Sequence, residues 1–218
     1  MNYIYSQNDT FTCNVNIYDL LQVVDSNKKM YNVSGIDTYI ENWKKALYNC
    51  FQYEKNQTHY FKNSHYFWES IFINGAEMRF HFNIDKAQQI SSSYQSQIIP
   101  LDAFSEYFDN FSEATIKFSN PDITRCNYNY SICQESIFIV NFCHGGSLYL
   151  VIDGNHRVSA RKKANIHYIN GILFTPKDSL KLLSSELEIA IYLLLYEGFL
   201  LSQNEFEVIK NSNAKLYL

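Results

Sequence analysis

Apolar residues recur at two periods along the chain. Ile36, Tyr39, Ile40, Trp43, Leu47, Cys50 and Phe51 keep the three-to-four spacing of one helix face. Ser34-Gly35-Ile36-Asp37 in front of them resembles a capping box with Asp in place of Glu. The spacing predicts a helix that starts near residue 36. EMRFHFNI, 77–84, alternates instead, as a half-buried strand does. HYFKNSHYFWESIFI, 59–73, is crowded with aromatics and fits either period. FTCNVNIYDLLQVV, from Phe11, reads as a strand passing into a short helix. KAQQISSSYQSQ, 86–97, is polar and reads as a connector.

The second half of the chain is patterned more clearly. IIPLDAF, 98–104, is a short strand running into a turn or helix at Pro100, and 105–130 looks irregular. ESIFIVNF, 135–142, and SLYLVID, 147–153, flank Gly145-Gly146, which predicts an antiparallel hairpin. A short helix should then begin within two residues of His156. IHYINGILF, 166–174, is strand-like and is closed by Thr175-Pro176. Ser185-Glu186-Leu187-Glu188 is a capping box with acids in its first turn. It opens a helix through IAIYLLLY, 189–196, apolar nearly all round and therefore buried. FEVIKNSNAKLYL, 206–218, suggests a helical turn and a strand.

Composition narrows the classes. The chain has 218 residues, 46% of them hydrophobic and 18% charged, as in ordinary globular proteins. A net charge of −4 removes the global basic field that drives non-specific nucleic-acid binding. The eight residues of IAIYLLLY are too few to span a bilayer, and MNYIYSQNDT lacks the pattern of a secretory signal, so a cytoplasmic protein without membrane contact is expected. Five cysteines with no CxxC pair do not suggest a disulfide framework. The spacing of Cys126, Cys133, Cys143 and His144 is too irregular for a structural zinc site, so no metal site is assigned to the chain. Trp43 and Trp68 are expected in the core.

The chemistry concentrates at Asp153-Gly154-Asn155-His156-Arg157, between a buried strand and a helix. Gly154 permits a backbone geometry closed to other residues. A helix start offers unpaired N–H groups and the positive end of a dipole, which suits an anion. Arg157 can fork onto a phosphate, His156 can donate to one or move a proton, and Asn155 can donate without charge. Asp153 could hold a metal-bound water or orient His156. The structural alternative is that Asp153 and Asn155 only cap the helix. Asp102, after Pro100-Leu101, is a candidate base. Arg161, Lys162 and Lys163 form either a solvated basic face or an extension of the anion site.

Asp153-Gly154-Asn155-His156-Arg157-Val158-Ser159-Ala160 resembles the DG-x-HR-x-x-A signature of the ParB/sulfiredoxin-like superfamily. IIPLDAF, ESIFIVNF and INGILF are similar, in the right order, to the strands that flank that signature, over roughly residues 96–175. The resemblance implies an α+β fold with a small mixed sheet. Residues 1–95 would be an N-terminal elaboration, 96–175 the ParB/sulfiredoxin-like core, and 176–218 a C-terminal helix and tail. It further implies binding of a nucleoside triphosphate, ATP or CTP, through Gly154, Asn155, His156 and Arg157. Phosphotransfer or hydrolysis with Mg²⁺ would use His156, Asp102 and Asp153. Sulfiredoxins carry a catalytic Cys where Asn155 stands, which removes sulfinic-acid reduction. The alternative function is a non-enzymatic DNA-associated module of the partition or mobile-element type, although no helix-turn-helix follows the core and the net charge disfavours DNA.

Overall fold

A computed structural model describes residues 2–5, 10–14, 18, 21–22, 36–55, 57, 59–60, 65–73, 76–106, 116–119, 128–144 and 147–202. It is an α+β protein with two compact units. One comprises Met1–Ser64, Trp68–His81 and Leu183–Leu218, the other His65–Phe67 and Phe82–Leu182.

In the first unit, α1 (Ile36–Glu54) buries Tyr39, Ile40, Trp43 and Leu47, the stripe predicted from their spacing. Its expected cap at Ser34 lies outside the described residues. The last helix of this unit, Glu186–Ser202, packs on α1 and buries Leu187, Ala190, Ile191, Leu193 and Leu194. The predicted capping box forms in altered shape. Ser185 Oγ accepts from Glu188 N at 3.1 Å, but the Glu188 carboxylate reaches one residue further back, to Ser184 N at 3.1 Å. Its other oxygen lies 2.7 Å from His81 Nδ1, so the capping carboxylate also satisfies a buried imidazole.

β1 (Asn2–Tyr5), β2 (Thr10–Asn14) and β3 (His59–Tyr60) make a three-stranded antiparallel sheet. Most of the helix expected after β2 lies outside the described residues. The ambiguous aromatic stretch resolves into β4 (Tyr66–Ile73), which pairs with β5 (Ala76–Asn83), the alternating run. Trp68 is not in the core: it is 49% exposed. Side chains alternate across a strand, so Glu69 and Ile71 go inward while Trp68 and Phe72 share the outer face. The Arg79 guanidinium sits 4.5 Å from the Trp68 ring centre.

The second unit contains a mixed sheet in the order β6-β11-β9-β10-β8-β7. Its strands are β6 (Gln97–Pro100), β7 (Phe104–Glu106), β8 (Ile116–Phe118), β9 (Ile137–His144), β10 (Ser147–Asp153) and β11 (Tyr168–Leu173). β9 and β10 are antiparallel, as the Gly145-Gly146 turn predicts. β11 runs parallel to β9, and β8 parallel to β10. IIPLDAF is a strand that runs into a helical turn after Pro100, as its sequence predicts, and a second strand starts at Phe104. The segment supplies both edges of the sheet, joined by a single 3₁₀ turn at Leu101–Ala103. In a flat six-stranded sheet the edges would stand about 24 Å apart. The four Cα steps from Pro100 to Phe104 reach at most about 14 Å. The sheet must curl until its edges approach, and its concave side is filled by Ile116, Phe118, Ile137, Ile139, Val151 and Val158.

Three helices of this unit were not legible as such. α2 (Ile84–Ser91) replaces the expected connector. Asn83 Oδ1 caps it by accepting from Lys86 N at 2.8 Å, and only Ile84 and Ala87, one turn apart, are buried. α3 (Tyr128–Ile132) and β8 occupy the stretch read as irregular; both are too short to display a period. α4 (Asn155–Lys163) is the predicted helix after the signature turn. Thr175-Pro176 does more than end β11: Thr175 caps α5 (Pro176–Lys181), with Asp178 N donating to its Oγ1 at 3.2 Å. The helix Glu186–Ser202 is α6. Residues 203–218, where a turn and strand were expected, lie outside the described residues. Among the described residues no helix is long and apolar enough to cross a membrane.

Candidate phosphate-binding turn

β10 delivers the signature. Its pairing with β9 slips between Val151 and Asp153, a bulge at the strand end. The chain then turns at Gly154, φ +98°, and enters α4. A Cβ at residue 154 would lie 2.2 Å from Ile137 Cγ2 of β9, so both the backbone angle and the packing demand glycine there.

The N-cap of α4 is Gly154 itself, and no side chain caps it. This disposes of the capping alternative for Asp153 and Asn155. Asn155 ties strands together: its Oδ1 accepts from Ser119 N at 2.9 Å, beyond β8, and its Nδ2 donates to Val151 O of β10 at 3.3 Å. Asp153 accepts from Arg157 Nη2 at 2.7 Å.

Arg157 is buried, with its side chain 9% exposed. Its Nη1 donates to Glu135 O at 2.8 Å and Ser136 O at 3.1 Å, while Nη2 holds Asp153. One turn on, Arg161 is also buried and does not belong to a solvated basic face. Its Nη1 donates to Tyr168 O and its Nη2 to Cys133 O, both at 2.7 Å. Asn170 Nδ2 reaches Gln134 O at 3.2 Å. Four successive carbonyls, Cys133 to Ser136, are thus each held by a side chain from α4 or β11. The loop between α3 and β9 has no ladder of its own, and these donors meet its backbone requirement. Lys162 lies over the Phe118 ring at 5.1 Å and donates to Phe104 O at 2.5 Å. Of the basic trio only Lys163 is exposed. All three sit in the last turn, where cations complement the helix dipole.

His156 is partly exposed. Its ring stacks on Tyr130 of α3, with centroids 5.4 Å apart and planes 25° apart, and it makes no hydrogen bond among the described residues. Asp102 is exposed in the 3₁₀ turn. That turn is tied to the far end of α4 through Lys162 and through Leu101 N, which donates to His167 O at 2.8 Å. Six residues of helix, about 9 Å, separate Lys162 from His156. The fold brings Asp153, Gly154, Asn155, His156 and Arg157 into one turn and anchors Asp102 elsewhere. Tyr130 was missed because its partner is distant in sequence and its own helix is a single turn. Among the described residues no three His, Cys, Asp or Glu side chains group as a metal site.

No family model, no curated protein and no solved structure matches the chain.

Proposed function

We propose that the chain is a ParB/sulfiredoxin-like module that binds the phosphates of a nucleoside triphosphate, ATP or CTP, at the first turn of α4. One observation carries this. α2, α5 and α6 each begin with a side-chain cap, from Asn83, Thr175 and Ser185, whereas α4 has none. A helix start leaves its first N–H groups without intrahelical partners, and a phosphate is a natural acceptor for them. The DG-x-HR resemblance and the tight turn at Gly154 support the same assignment.

Within this proposal the residues divide by role. His156, partly exposed and not hydrogen-bonded among the described residues, is the side chain suited to meet a phosphate or move its proton. Arg157, Asn155 and Asp153 hold the turn in shape, since their polar atoms are engaged by β8, β10 and the loop 133–136. A Mg²⁺ ion would arrive on the triphosphate oxygens, as this ion commonly does. Asp153 is the adjoining carboxylate, and Arg157 competes for it. Burial of Arg157 and Arg161 removes two of the cations that a DNA backbone would need.

Calorimetric titration with tripolyphosphate, ATP and CTP, with and without Mg²⁺, tests the proposal. Saturable binding that weakens roughly tenfold in His156→Ala, at unchanged melting temperature, is the expected result, as for loss of one charge-assisted contact. No binding of any of the three at millimolar concentration would refute it.

A further inference from the structure

We draw no further inference here: the strongest candidate, the exposed apolar patch of Ile98, Ile132 and Tyr168 beside the loop 133–136, carries nothing because nothing in the structure shows what covers it.

Discussion

The two units bury opposite charges. In the first, Glu54, Glu69, Glu188 and Glu197 are all 5% exposed or less. In the second, the buried charges are guanidinium groups, Arg157 at 8% and Arg161 at 7%. The difference is chemical as well as electrostatic. A buried carboxyl can take up a proton and shed its charge; a guanidinium in a protein cannot, so it has to be met by acceptors. Glu197 is shifted towards the first course. Burial pushes its carboxyl above the usual carboxylate range, against the hydrogen bonds from Tyr39 Oη and Trp43 Nε1. Arg157 and Arg161 follow the second: each donates to two backbone carbonyls, and Arg157 also meets the carboxylates of Asp153 at 2.7 Å and of the exposed Glu135 at 3.9 Å.

The largest test of this contrast removes the cations. Arg157→Ala strands Asp153 and the carbonyls of Glu135 and Ser136, and should cost ~3–5 kcal/mol by urea denaturation. Arg161→Ala should cost ~3 kcal/mol through two charge-assisted bonds. A loss below ~1 kcal/mol for either would mean that water replaces the guanidinium and that its burial is not structural. The intermediate test concerns Glu197. Its folded-state pKa is raised, so its contribution to stability is complete below the ordinary carboxylate value and is lost as pH rises through the raised value. Glu197→Gln should behave like the wild type in acid and be the more stable of the two towards neutral pH. Parallel denaturation curves from pH 4 to 8 would contradict this. The smallest effect has the opposite sign and belongs to the second unit. Lys181, then Tyr94, hold the Asp178 carboxyl below its usual range. Its contribution is present above the ordinary value and disappears as pH falls through the lowered one. Asp178→Asn should lack that acid-side slope in melting experiments, being slightly less stable than the wild type at neutral pH and converging with it below pH 4.

What could be read from the sequence follows element length. α1, β9, β10, α4 and α6 are long enough to show a period, or are flanked by glycine, and appear where their patterns place them. α2 escaped because two buried residues sufficed to seat it, and its N-cap Asn83 fell inside a run already read as strand. α5 escaped because Thr175-Pro176 is both a strand stop and a helix start. At the candidate site, the strand, turn and helix were legible; the direction of each side chain was not. Arg157 has the chemistry of a phosphate ligand, and only the position of the loop 133–136 reveals that its donors are already engaged. That loop was invisible because its stabilising partners lie on α4 and β11, 21 to 36 residues away in sequence.

The manner in which α4 and β11 hold that loop sets how the loop can vary. Arg157, Arg161 and Asn170 take hold of carbonyl oxygens, which every amino acid supplies alike. The identities of Cys133 and Gln134 therefore do not enter the grip, and the Glu135 side chain, 84% exposed, adds only a 3.9 Å ion pair with Arg157 Nη1. Substitutions should accumulate freely along this stretch, while the three residues that hold it, remote in sequence, tolerate almost none. Variability and constraint are thereby assigned to opposite ends of the same hydrogen bonds.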